Sequence, residues 1–182
     1  MQFIALLRGI NVGGNNKIEM PKLKALFESL NFTDVKTYIN SGNAIFSSGQ
    51  KDSLKLSKTI QSAIQKEFKL SISTLIISAK DFKNIASSIP SNWNKDAQFK
   101  CDVLFLWPEL NSPKILKSLS LNPQIEDFKY TPGAIIWHIN IKNYSKSKFP
   151  KVIVSDIYKQ ITIRNSNTVR KLQALLTADS ST

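Results

Sequence analysis

The chain has 182 residues, 42% of them apolar and 21% charged, which is long enough to bury a core and unlike the low-hydrophobicity, high-charge composition of disorder. No apolar run approaches the roughly 18 residues of a membrane span, and Met1-Gln2-Phe3 runs straight into a strand-like segment with no basic leader, so an unanchored, cytoplasmic protein is expected. Cys101 is the single cysteine, which excludes an intrachain disulfide or a cysteine-based metal cluster, and the net charge of +12 points to an acidic partner.

That charge is spread rather than focused. Residues 1–90 carry 12 Lys/Arg against 6 Asp/Glu and residues 91–182 carry 13 against 7, so each half holds +6. A Lys/Arg excess is the electrostatic footprint of nucleic-acid binding, but a composition rich in Ile, Asn, Ser and Lys produces the same number without it. The densest basic stretch is 142–171, where Lys142, Lys146, Lys148, Lys151, Lys159, Arg164, Arg170 and Lys171 face only Asp156.

In chain order, the apolar run Phe3 to Leu7 predicts a strand inside a sheet. After a glycine-rich loop, Pro21 suits the first turn of a helix whose apolar residues Leu23, Leu26, Phe27 and Leu30 repeat at i, i+3, i+4, i+7. Val35 to Ile39 and Ala44 to Phe46 read as strands joined by Asn40-Ser41-Gly42-Asn43, the residues of a two-residue hairpin turn. Leu56, Ile60, Ala63, Ile64 and Phe68 stripe a second helix, and Ile72 to Ile77 gives a fourth strand. The order β-α-β-β-α-β is that of a ferredoxin-like unit. An appended helix over 79–89 follows, with Ser78 and Asp81 as its capping pair.

The pattern then repeats. Val103 to Trp107 is an apolar strand, Ser112-Pro113 opens a helix with Ile115, Leu116 and Leu119, and Ile125 to Tyr130 pairs with Ala134 to Ile141 across Thr131-Pro132-Gly133. Val152 to Tyr158 reads as a short helix and Ile161 to Arg164 as a last strand. Asn167 or Thr168 would then cap a C-terminal helix carrying Val169, Leu172, Leu175 and Leu176. The predicted fold class is α+β: two ferredoxin-like units in tandem, over 1–90 and 91–182, each with an appended helix.

Three segments carry candidate chemistry. Arg8, Gly9, Asn11, Gly13, Gly14, Asn15, Asn16 and Lys17 form a strand-to-helix loop of the kind whose backbone N–H groups cradle phosphate, with two cations bracketing an anion. It matches neither the Walker loop nor the dinucleotide fingerprint, and glycines and asparagines that merely accommodate positive φ give the same sequence. In the predicted sheet the first two strands run parallel with the third between them, which brings Tyr38, Asn40, Ser41 and Asn43 to the same edge as that loop. Arg164, Asn165, Asn167, Thr168 and Lys171 sit at a second strand-to-helix junction, explained equally by an N-cap with solvated cations.

No catalytic residue, metal site or cofactor is predicted: the chain lacks metal-ligand spacing and a nucleophile elbow. His138 reads as a packed or surface histidine, Cys101 as a core residue, and Trp93, Trp107 and Trp137 as packing rather than stacking platforms.

Ala5-Leu6-Leu7-Arg8-Gly9-Ile10-Asn11-Val12-Gly13-Gly14, Thr37-Tyr38-Ile39-Asn40-Ser41-Gly42-Asn43, and Arg164-Asn165-Ser166-Asn167-Thr168-Val169-Arg170-Lys171-Leu172 together closely resemble the bacterial family called domain of unknown function 1697. The resemblance spans the chain and implies an α+β fold of two related ferredoxin-like parts, with no activity or catalytic residue attached. The family pattern has Trp where this chain has Ser166, and a glycine-containing turn where it has Asn143 to Phe149. The functional expectation is a phosphate-bearing ligand, nucleotide or nucleic acid, on the Arg8 to Lys17 loop. The alternatives are an enzyme of a small phosphorylated metabolite and a protein-interaction module.

Overall fold

A computed structural model describes residues 1–119, 121–153 and 155–178. The chain divides into two compact units, Met1–Phe82 and the residues from Lys83 onward.

In the first unit the strands are β1 (Gln2–Leu7), β2 (Thr33–Tyr38), β3 (Asn43–Ser47) and β4 (Thr74–Ser78), with helices α1 (Met20–Ser29) and α2 (Ser53–Phe68). They form one antiparallel sheet in the order β2-β3-β1-β4. Because β1 and β2 each run antiparallel to β3, they are parallel to one another with β3 between. The interior position of β1 accounts for its unbroken apolar sequence: Phe3 to Leu7 are all buried. Phe3, Ala5 and Leu7 belong to the core that takes Leu23 and Phe27 of α1 and Leu56, Ile60 and Ile64 of α2. Phe46 lies at its centre, edge-on to Phe27 at 5.4 Å and tilted against Phe32 at 4.6 Å.

Local signals set the helix ends. Asp52 caps α2 by accepting from Leu54 N at 2.9 Å and Lys55 N at 3.1 Å, and Lys69 closes it in the left-handed conformation, φ 60°. Several boundaries differ from expectation: β2 starts at Thr33 rather than Val35, and β3 gains a residue at each end. The fourth strand starts at Thr74 rather than Ile72, although Ile72 is buried. The β2–β3 connection has four residues, Ile39 to Gly42, because Tyr38 pairs with Asn43. Ile39 and Gly42 both adopt positive φ, 47° and 77°. A Cβ on Gly42 would stand 2.8 Å from Leu7 Cβ, so packing against β1, not turn chemistry alone, shapes this loop.

α3 (Ala79–Ser87) follows, and the division between units falls inside it. Ser78 Oγ accepts from Asp81 N at 3.1 Å and donates to its carboxylate at 2.6 Å, the predicted cap.

The second unit holds β5 (Phe99–Leu106), α4 (Ile115–Ser118), β6 (Glu126–Thr131), β7 (Ala134–Asn140), α5 (Phe149–Ile153), β8 (Ile161–Asn165) and α6 (Ser166–Ala178). Its antiparallel sheet has the order β6-β7-β5-β8. Trp137 stacks on Phe149 at 4.1 Å, and its indole N–H donates to the buried Glu126 carboxylate at 2.7 Å. β5 begins at Phe99, four residues before the apolar run, because Lys100 and Asp102 alternate with the buried Cys101 and Val103. The expected helix after Ser112 shrinks to the single turn α4. The 152–158 helix becomes α5 and a separate 3-10 turn, Asp156–Gln160; Val154 and the Lys151 side chain lie outside the described residues. The architecture is thus mixed α+β with two four-stranded antiparallel sheets.

Candidate functional site

The loop leaving β1 is pinned first by its backbone. Leu7 N donates to Gly42 O and Arg8 N to Ser73 O, both at 2.9 Å. Ile10 and Ile18, 1% and 3% exposed, sink both shoulders of the loop into the core, so the segment between them is held at its base. There Asn11 to Asn16 fold back as a miniature hairpin: Asn15 N donates to Val12 O at 3.0 Å and Asn11 N to Asn16 O at 3.2 Å. Gly13 and Gly14 take φ of 58° and 80°, a pair of left-handed residues that glycine adopts without steric cost.

Asparagines lock this hairpin down. Asn16 Nδ2 donates to Gly9 O at 3.0 Å. The Asn11 side chain accepts from Ile18 N at 2.9 Å while its amide donates to Ile18 O at 2.8 Å and to Asn40 O at 2.9 Å. One side chain therefore joins the loop, the approach to α1 and the β2–β3 turn. The neighbourhood expected between the loop and the turn is present as a direct hydrogen bond.

Beside this junction lies a cleft of about 640 Å³. Of the candidate residues, Asn11, Gly14, Lys17 and Asn40 line it. Ile18, Glu19, Met20, Pro21 and Lys22 at the start of α1 and Phe68 at the end of α2 complete it. Glu19 occupies the α1 N-cap without making a side-chain cap, and pairs with Lys22 at 2.8 Å instead. Pro21 has no N–H and Leu23 N already donates to Glu19 O, so the first-turn N–H groups that Glu19 leaves uncapped are those of Met20 and Lys22, at the end of the helix where the dipole is positive.

The other candidates of the first unit stand apart from the lining. Arg8, Gly9, Gly13, Asn15, Asn16, Tyr38 and Ser41 build the loop and turn but do not border the cleft. Asn43 is fully buried and donates to Tyr38 O and Ser41 Oγ at 3.0 Å, closing the turn from inside. Lys22, Met20 and Phe68 were not among the predicted site residues. Phe68 carries no local signal beyond its place in the α2 stripe, and only the tertiary fold brings it to the loop.

The closing motif behaves differently from its expectation. Arg164 is buried, donating to Thr162 Oγ1 at 3.1 Å and Ile163 O at 2.8 Å; burial pushes its guanidinium down to about 10, with Tyr158 acting in the opposite direction. Asn165, rather than Asn167 or Thr168, caps α6 by accepting from Thr168 N at 2.9 Å, and Thr168 is buried. Asn167 donates to Lys95 O at 3.0 Å, and Arg170 to Pro90 O, Trp93 O and Asn94 Oδ1 within 3.2 Å. These groups clip the 90–95 segment onto α6. Of the candidates here, Asn167 and Lys171 remain exposed, and the Asn167 amide is already engaged.

His138 is a packed histidine, as expected, stacked between Trp93 at 5.2 Å and Phe99 at 4.9 Å, with Nδ1 3.3 Å from Asp127. Cys101 is fully buried, and burial pushes its thiol up while the neighbouring Ser166 hydroxyl opposes that. Among the described residues no group of three or more His, Cys, Asp or Glu is placed to hold a metal ion. No helix of the described residues is long and apolar enough to cross a membrane.

Comparison with known proteins places this geometry in a family. A family model described as "Protein of unknown function (DUF1697)" matches residues 1–136, a range that contains the whole loop, turn and cleft. A solved structure described as a conserved bacterial protein from Streptococcus pneumoniae is 30% identical, with 96% of this chain and 98% of that chain covered and a TM-score of 0.81. No curated protein matches the chain. The chain belongs to the DUF1697 family.

Proposed function

We propose that this protein binds a phosphate-bearing ligand in the cleft between the Arg8 to Lys17 loop, the β2–β3 turn and the start of α1. The observation that carries the reading is the meeting of Lys17, Lys22 and the uncapped first turn of α1 on one concave surface. Cations and backbone N–H groups converging without a side-chain cap are the elements of an anion site, and the +12 net charge raises the local concentration of anions around it. Lys17 makes no ion pair among the described residues, whereas Lys22 is held toward the helix start by Glu19. Asn11 and the Gly13-Gly14 turn fix the shape of the wall in advance, which lowers the ordering cost of binding. The shared strand order of the two sheets supports reading the chain as ferredoxin-like halves in tandem, the first of which carries the cleft.

Thermal shift with pyrophosphate over a salt series tests this. Stabilisation that falls as salt rises, and that disappears in Lys17→Ala/Lys22→Ala, is the expected result; a ligand at 100 times its Kd adds about 2.7 kcal/mol. Absence of a shift, or an equal shift in the double variant, overturns the reading.

A further inference from the structure

We infer that the ligand of this cleft is a nucleoside phosphate, its base resting on the apolar wall formed by Met20, Pro21 and Phe68. The inference builds on the phosphate-site reading above and adds the other half of the ligand. An inorganic phosphate or a sugar phosphate gains mainly from cations and hydrogen-bond donors, and apart from the C–H face of a sugar ring it gains little from apolar side chains. Yet Lys17 and Lys22 share their cleft with a thioether, a proline ring and a phenyl ring. Phe68 ends α2, where Lys69 turns left-handed, and it is half-buried: it packs on the core yet still borders the cleft. A flat aromatic base is the ligand part that gains from such a wall, because stacking on ring and thioether surface needs no hydrogen-bond partner.

Asn40 supplies the polar handle. Its carbonyl is taken by Asn11, but among the described residues its side-chain amide makes no hydrogen bond. A free amide offers one donor edge and one acceptor edge, which is the complement of a base edge. The size agrees, since about 640 Å³ falls within the range of small-molecule sites. A duplex, by contrast, meets proteins through extended phosphate contacts over a broad surface.

The test is calorimetric titration of the full chain with AMP, ribose 5-phosphate, pyrophosphate and a six-residue deoxyadenosine oligonucleotide. AMP binding about tenfold tighter than ribose 5-phosphate is expected, the size of a base-stacking contribution. Phe68→Leu, which keeps apolar volume while removing the ring, should erase that preference by weakening AMP more than ribose 5-phosphate; Phe68→Ala extends the series if it folds. Equal affinity for AMP and ribose 5-phosphate, with pyrophosphate still bound, overturns the base wall and leaves the phosphate reading standing. No binding of any of the four removes both. Oligonucleotide binding that is tighter than AMP and indifferent to Phe68→Leu overturns the inference in favour of a nucleic-acid surface elsewhere.

Discussion

The Asn11 side-chain amide donates to the Asn40 carbonyl at 2.9 Å, tying the loop after β1 to the turn between β2 and β3 across 29 residues of sequence. The same amide also holds Ile18 through both its N–H and its carbonyl, and Asn11 itself sits at φ 54°, a conformation asparagine tolerates better than most residues.

Two replacements separate these roles. Asn11→Gly keeps the backbone conformation and removes the side-chain bonds, so it should cost about 1–3 kcal/mol, the range for polar groups that lose their partner. Asn11→Asp should cost more, since a carboxylate would face the Ile18 and Asn40 carbonyls that now receive N–H groups. Denaturant unfolding ranks the two, and equal loss would show that repulsion between the carboxylate and the Ile18 and Asn40 carbonyls adds nothing to the loss of the amide.

Gly42 meets two constraints at once. Its φ is 77° and an added Cβ would lie 2.8–2.9 Å from Leu7 and Ile10. Gly42→Ala is therefore expected to lose about 2–4 kcal/mol, combining left-handed strain with overpacking. Gly14→Ala, with φ 80° but open space around it, should lose only about 1–2 kcal/mol. Similar losses at the two sites would mean that the close approach of the turn to β1 is not what fixes Gly42.

Asp102 gives a pH dependence. Burial pushes its carboxyl above the ordinary 3.8, against the pull of Lys100 and Lys95. Above 3.8 the folded chain keeps this proton longer than the unfolded chain does, so the contribution of Asp102 to stability falls as pH rises through that window. Asp102→Asn should accordingly raise the melting temperature at pH 7, and its advantage should shrink as pH falls toward 3.8. A constant advantage across the range would locate the effect outside titration.

Glu126 organises the second unit from the interior. Its carboxylate accepts from Trp137 Nε1 and Ser147 Oγ at 2.7 Å and from Asn122 N at 2.6 Å. Glu126→Ala leaves these donors without their acceptor and should cost about 3 kcal/mol or more. Glu126→Gln keeps volume and one acceptor oxygen and should cost less. Near-ultraviolet circular dichroism, which reports Trp137, should show the larger change for Ala.

Element identity was largely legible. The periodicity of Leu56, Ile60 and Ile64, the Pro21 helix start and the continuous run of β1 all correspond to elements at or close to their expected positions, because each is set by local backbone preference and by which face must be buried. Boundaries slipped where partners rather than sequence decide. β5 extends back to Phe99 because it pairs with β7 through Asn140, and α4 stops after one turn, a length its apolar spacing does not reveal.

For the candidate site, the sequence by itself determined the materials: a glycine pair able to turn at positive φ, asparagines able to satisfy a loop backbone, and cations beside a helix start. The β-α-β-β order also implied that the first loop and the first hairpin share an edge. Only the tertiary structure decided which of those residues face outward, since burial depends on packing across the sheet. It turned Asn43 and Arg164 inward, spent Asn167 and Arg170 on the 90–95 segment, and brought Phe68 to the cleft from another helix. A side chain's type states what it can bond to, but whether a ligand or the chain itself supplies that bond is fixed by the neighbours that folding delivers.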